Sequence, residues 1–301
     1  MIMLACSALF AGSALAEGPG RGTSIDDWKG LTILKGGKGY VSAPMGQLHY
    51  RDVGPRDQMP IILLHQSPMS MIQFGAVQNE LAALGVRSIT VDTPGFGLSD
   101  LPSKQPTIAD YADNLVALLD ELKLKKVIVG GHHTGAQIAT SFASRHPDRV
   151  AAVVLHGAAM WRPEWIEPVR ARIGKGTGTG RLPKVDGSNF ARRWPVTEND
   201  RQELKDAYAW LTITSYMSGP DIGHWAAFYY DAKPDILNIK APTLLISDTG
   251  DEVNPMDKDV IKLRPDFKYV EFSNGNFMEL MADPAKWAKI VSEWRRETVK
   301  D

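Results

Sequence analysis

The chain has 301 residues, enough for one large α/β domain with an insertion or for two small domains. Hydrophobic content of 44% and charged content of 23% are those of an ordinary globular protein. A formal charge of −1 gives no electrostatic ground for nucleic acid or an anionic membrane as partner, and no apolar run reaches the roughly 18 residues of a membrane span.

Residues 1–16 are apolar and rich in small side chains, and they close with Ala14-Leu15-Ala16 before Glu17. They read as a signal peptide, which makes the mature chain periplasmic or secreted, although the basic start of such signals is missing. The alternative is a cytoplasmic chain with a frayed N-terminus. The only cysteine, Cys6, lies in this segment, so its removal excludes disulfides, thiol nucleophiles and cysteine metal sites. Residues 17–37 are Gly-rich and without a clear period, and form an N-terminal arm.

Two strand-like runs, 39–43 and 47–53, flank the turn signal Pro44-Met45-Gly46 and predict a β-hairpin. Short apolar runs follow at 61–64 and 87–91, with a helix-length segment, 72–84, between them. Residues 107–122 place Tyr111, Leu115, Leu118, Leu119 and Leu122 on one helical face, with Asp110, Asp113 and Asp120 elsewhere. Then comes Val127-Ile128-Val129-Gly130-Gly131-His132-His133-Thr134-Gly135, an apolar run ending in a tight glycine turn before a helix at 136–144. Further runs stand at 151–155, 243–246 and 269–272. Six apolar runs alternating with helices predict a parallel sheet buried on both faces, and no internal repeat appears.

The interval 158–239 breaks the alternation. It holds Trp161, Trp165, Trp194, Trp210 and Trp225 with Tyr208, Tyr216, Tyr229 and Tyr230. Its glycine-rich piece, 174–180, fits neither phosphate-loop nor dinucleotide spacing and reads as a loop. An aromatic helical insertion between two sheet strands is a cap over a pocket, with Trp161, Tyr216, His224 and Trp225 as candidate wall residues together with Gln66 and His132.

Five motifs in this order resemble the α/β-hydrolase superfamily, in particular its capped members such as epoxide hydrolases, haloalkane dehalogenases and C–C hydrolases. They are Leu63-Leu64-His65-Gln66-Ser67-Pro68, Asp92-Thr93-Pro94-Gly95-Phe96-Gly97-Leu98-Ser99-Asp100, the elbow Gly131–Gly135, His146-Pro147-Asp148-Arg149-Val150, and the strand 242–251 that delivers an acid. The resemblance covers about residues 38–298. It implies a core at 38–157 and 240–301, a mostly parallel central sheet with helices on both faces, and the helical cap at 158–239. It also implies Asp251 as the acid, with the N–H groups of Ser67 and Thr134 as the oxyanion hole.

The sequence departs from that pattern twice. His133 holds the place of the nucleophilic serine, and Asn276 holds the place of the catalytic histidine. Gln66 also stands where the family has glycine. A serine acyl-enzyme at the apex is therefore chemically unavailable, and an asparagine amide takes up no proton near neutral pH. A histidine rooted at the apex reaches further than a serine, into part of the space of the usual imidazole, so a His133–Asp251 dyad becomes the expected general base, with Asn276 orienting water, substrate or the dyad. The expected activity is cofactor-free and metal-free hydrolysis of a small apolar or aromatic molecule. The alternatives are lyase, dehydratase or isomerase chemistry with His133 as base, and a ligand-binding protein that has lost catalysis. Haloalkane-type displacement needs a carboxylate at the apex, and none is there.

Overall fold

The computed structural model describes residues 37–173, 202, 205, 209, 222–273 and 275–299. The signal-peptide expectation at 1–16 and most of the aromatic insertion, Tyr216 included, fall outside these residues.

Eight strands form one sheet in the order β1-β2-β4-β3-β5-β6-β7-β8. β1 (Gly37–Ala43) and β2 (Gly46–Val53) make the expected hairpin, and β2 runs antiparallel to β4 (Ser88–Val91). From β4 onward every pairing is parallel, through β3 (Ile61–Leu64), β5 (Val127–His132), β6 (Val150–His156), β7 (Thr243–Asp248) and β8 (Lys268–Phe272). All six predicted apolar runs are these parallel strands. The hairpin is the antiparallel edge that makes the sheet mixed.

Strand alternation sends successive side chains to opposite faces, and each face is covered by helices. Ile61 and Leu63 join Ile128, Val154 and Leu244 in a core that includes Val77 and Leu81 of α1 (Gly75–Ala83) and Trp287, Val291 and Trp294 of α9 (Pro284–Thr298). Ile62 and Leu64 face the other way, onto α2 (Ile108–Glu121) and α3 (Thr134–Arg145). The apolar stripe read from α2 is buried as expected at Tyr111, Leu115, Leu118 and Leu119. Thr107 starts that helix with a capping box: its hydroxyl accepts the Asp110 N–H (3.1 Å), and Asp110 Oδ2 accepts the Thr107 N–H (2.8 Å).

Sequence order runs from β3 outward to β4, then returns across β3 to β5. The strand order therefore reverses between β3 and β5, and ligands of open parallel sheets bind beyond the strand ends at such a reversal. The residues there are the loop His65–Pro68 after β3 and the elbow after β5. Three more helices carry the described part of the insertion and its return, α4 (Pro163–Ile173), α5 (Ile222–Tyr229) and α6 (Lys233–Asn238). Two others, α7 (Asn254–Leu263) and α8 (Glu279–Ala282), follow β7 and β8.

Candidate active site

The elbow is forced into shape by what its glycines exclude. A Cβ on Gly131 would overlap Gly135, and one on Gly135 would overlap the Leu64 carbonyl. The turn between them throws His133 into φ 47°, ψ −111°, a left-handed conformation for a non-glycine residue. Such a backbone costs about 1–3 kcal/mol and persists where the surroundings impose it. Two main-chain bonds do so, from His133 N–H to the His156 carbonyl (3.0 Å) and from Gln137 N–H to the His133 carbonyl (3.0 Å).

The ring of His133 reaches Asp251, with Nε2 and Oδ2 2.6 Å apart. Asp251 is held by its other oxygen, which accepts the Val253 N–H (3.1 Å). Its side chain is 2% exposed, whereas that of His133 is 23% exposed. Burial alone would raise the Asp251 pKa, but the His133 charge and hydrogen bond and the Val253 N–H bring it below the usual carboxylate range. For His133 burial pushes down, the Asp251 carboxylate and its hydrogen bond push up, and the more distant Asp257 and Asp248 add to that, leaving the imidazole above its ordinary value. An ionised carboxylate only accepts, so Nε2 carries the shared proton and Nδ1 keeps the lone pair. The free base nitrogen is thus Nδ1.

The ring needs a floor and a wall. Gly157, with φ 65°, supplies the floor: a Cβ there would stand 2.5 Å from His133 Cδ2 and 2.9 Å from Nε2. Phe277 supplies a wall, stacked at 6.3 Å between ring centroids. Neither was singled out from sequence. Gly157 follows the last residue of β6, and that position is the one signal that could have found it.

The amide proposed for one side of an oxyanion hole, Ser67 N–H, donates to Thr134 Oγ1 at 3.4 Å. Thr134 opens α3, so its own N–H has no acceptor within the helix. Ser67 and Thr134 are brought side by side, and both are buried. Gln66 and His132, expected at the pocket wall, are 2% and 0% exposed. Gln66 donates its N–H to Gln73 Oε1 (2.9 Å), and Gln73 Nε2 then donates to His132 Nδ1 (2.8 Å). His65 bridges Gln66 O and the Thr93 N–H and fixes the loop.

Ligand-type atoms of His132, His133 and Asp251 lie within 4.8 Å of one another, a spacing compatible with a metal ion. The hydrogen bonds argue otherwise. Gln66 N–H sets the orientation of the Gln73 amide, whose NH₂ requires the lone pair of His132 Nδ1. The proton of His132 must then sit on Nε2, so that nitrogen has no lone pair to offer a cation. Burial, and next the neighbouring His133 and His156, hold its pKa well below the ordinary value.

Of the roles expected of Asn276 (orienting water, substrate or the dyad), the last is not met. Its Oδ1 accepts the Met278 N–H (2.8 Å), a turn leading into α8, and among the described residues no hydrogen bond joins it to His133 or Asp251. The short polar side chain finds its own backbone first. Among the cap aromatics, Trp161 donates to the Ala227 carbonyl (2.7 Å) and packs with Val253 of the acid loop. His224 stacks on Phe228 at 5.3 Å, and Trp225 packs on the main core beside Tyr229.

Four of the seven histidines pair with an aspartate: His49 with Asp92, His133 with Asp251, His146 with Asp113 and His156 with Asp248. Pairing alone therefore does not mark a site. His133 is set apart by its forced backbone and by a partly exposed ring held between Asp251, Gly157 and Phe277.

Residues 59–175 match the alpha/beta hydrolase fold family. The non-heme chloroperoxidase of Streptomyces lividans is 35% identical over 231 residues, 69% of this chain and 80% of that protein. The 2-hydroxy-6-oxononadienedioate/2-hydroxy-6-oxononatrienedioate hydrolase of Paraburkholderia xenovorans is 29% identical over 243 residues, 74% of this chain and 79% of its own. Among solved structures, a thermophilic esterase from Thermogutta terrifontis superimposes with a TM-score of 0.72 at 21% identity, over 88% of this chain and 100% of the esterase.

Proposed function

The chain belongs to the alpha/beta hydrolase fold family, and from that premise we propose a cofactor-free hydrolase in which a His133–Asp251 dyad replaces the serine-based triad. The observation that carries this reading is the 2.6 Å contact between the two side chains at the elbow.

In the proposed reaction His133 Nδ1 takes a proton from water, and the resulting hydroxide attacks a substrate carbonyl whose oxygen faces the N–H groups of Ser67 and Thr134. Asp251 stabilises the imidazolium that forms, as the acid of a triad does. The proton returns to the leaving group when the tetrahedral intermediate collapses. Val253, Phe277 and Trp161 around the dyad are apolar or aromatic. Two cap cations among the described residues, Arg162 and Arg170, are committed, to Asp259 (2.7 Å) and to the Phe228 carbonyl (2.7 Å). Both points support a small uncharged aromatic or apolar substrate, unlike the dienedioate in the name of the Paraburkholderia relative.

A second reading, a lyase, dehydratase or isomerase, is supported by the same lone base beside amide donors: Nδ1 then takes a C–H or O–H proton of the substrate itself. A screen of aryl esters, lactones, epoxides and β-diketones on wild type and His133→Ala tests both. Loss of ~10²–10⁴-fold in turnover is expected of a missing general base. Turnover that persists unchanged in His133→Ala eliminates the dyad, and a tightly bound but unconverted compound points to the ligand-binding alternative. From the apolar segment 1–16 before Glu17 we also propose that the mature chain is periplasmic or secreted; a processed form whose first residue is Glu17 checks that part.

A further inference from the structure

A second histidine–aspartate pair lies directly beneath the dyad. His156 ends β6 and Asp248 ends β7, and His156 Nε2 donates to Asp248 Oδ2 at 2.7 Å with both side chains buried. Trp287 Nε1, which can only donate, meets His156 Nδ1 at 3.2 Å and so fixes the proton on Nε2. Gly275 leaves the room that Asp248 occupies, since a Cβ there would overlap Oδ1.

Two main-chain bonds tie this buried pair to the dyad. His133 donates its N–H to the His156 carbonyl, and Asp251 donates its N–H to the Asp248 carbonyl, each at 3.0 Å. The base thus hangs on the histidine of the lower pair, and the acid hangs on its aspartate. The His132 ring fills the space between the two layers, 4.2 Å from His133 and 4.7 Å from His156 by ring centroids.

We propose that His156 and Asp248 are positioning residues for the dyad: their bond sets the spacing between the ends of β6 and β7, and through the two main-chain bonds it sets the His133–Asp251 contact. The proposal rests on the dyad reading above. A well-packed apolar pair would fill the same volume and keep the sheet, often with no loss of stability. What it lacks is a bond of defined length between two strand ends. A displacement of about 1 Å at a catalytic pair suffices for about 10²-fold in rate.

The test is a histidine ¹⁵N NMR titration of the full chain, with the His133 signals identified by their loss in His133→Ala. The titratable groups that bear on that ring are Asp251, His132, His156, Asp257 and Asp248 itself, so Asp248 can act by position or by charge. Asp248→Ala removes both; Asp248→Asn removes the charge and keeps an acceptor for His156. The expected result is a His133 midpoint lowered by about one pH unit in Asp248→Ala, the size of a weakened neighbouring charge, and largely restored in Asp248→Asn. If Asp248→Ala does not fold, His156→Leu breaks the same bond with apolar filling and is expected to give the same shift. An unshifted midpoint in the bond-breaking variants, or an equal shift in Asp248→Asn, overturns the proposal. Asp251→Asn is the control: if it leaves the His133 midpoint unmoved, the dyad itself falls, a failure distinct from that of the lower pair.

Discussion

The chemistry turns on which nitrogen of His133 is free. In a serine triad the imidazole gives one nitrogen to the acid and the other to the nucleophile. Here Nε2 is given to Asp251 at 2.6 Å, so the working nitrogen is Nδ1, nearer the elbow backbone. Because the carboxylate holds the imidazole pKa above its ordinary value, the base is unprotonated only at higher pH. Turnover is therefore expected to rise with pH through a midpoint above about 6.5. In Asp251→Asn, burial acts with less opposition and that midpoint moves down, while the rate at its plateau falls. A pH–rate profile of the two proteins checks the sign. Gly157 gives a second expectation: Gly157→Ala puts a Cβ 2.5 Å from the ring and adds the strain of φ 65°. Turnover falls at least ~10-fold, by the sensitivity of catalysis to displacement, and the loss lies in kcat rather than in folding as read by circular dichroism.

At the scale of elements, each strand and helix terminus does a separate task, and the sequence revealed these tasks unevenly. Periodicity exposed the parallel strands and α2 because one face of each is buried against a continuous core. Motif order brought out His133 and Asp251 although 118 residues separate them. It gave no hint of His156 and Asp248 as a pair: they lie just past the apolar runs 151–155 and 243–246, and only the parallel pairing of β6 and β7 brings them together. Asn276 stands at the place of a triad's base, but its Oδ1 accepts the N–H of its own turn rather than holding the dyad. Trp225 was read as pocket wall, whereas the packing of α5 turns it toward the core. Thr107 offers a test of an element remote from the chemistry. Thr107→Ala removes the capping box of α2 and is expected to cost about 1 kcal/mol in urea unfolding, with kcat unchanged. A parallel loss of kcat would mean that α2 and the site are coupled.

For the whole molecule, pH acts on stability through buried groups of opposite sign. Asp92 is buried, which by itself raises its pKa, but the His49 hydrogen bond, the His65 charge and the N–H groups of Leu98 and Met71 bring it below the usual range. Its folded pKa lies below its unfolded one, so its contribution is present above about pH 3.9 and is lost as pH falls through the folded value. Asp251 acts in the same direction. His133 has the reverse sign, since its folded pKa is raised: its contribution is present below about pH 6.5 and is lost as pH climbs through the folded value. Asp257 is pushed up to about 8, by burial first, against the hydrogen bond from Ser247 and with the Asp251 charge adding to the rise. It too contributes less to stability as pH rises, because ionising it in the core is unfavourable. Chemical unfolding midpoints followed from pH 3 to 9 are expected to show a maximum between these limits, with a shallower acid limb in Asp92→Asn. An acid limb unchanged in that variant would remove Asp92 from the account.

The elbow supplies the most direct measurement. His133→Gly removes the imidazole and also relieves the left-handed backbone, because glycine adopts φ 47° without penalty. The variant is expected to fold at least as stably as His133→Ala and to be inactive on any substrate the wild type converts. Added imidazole should then restore turnover, saturably and with a pH dependence that follows free imidazole, because the space between Gly157, Phe277 and Asp251 still accepts the ring. Full turnover in His133→Gly without imidazole would contradict the dyad.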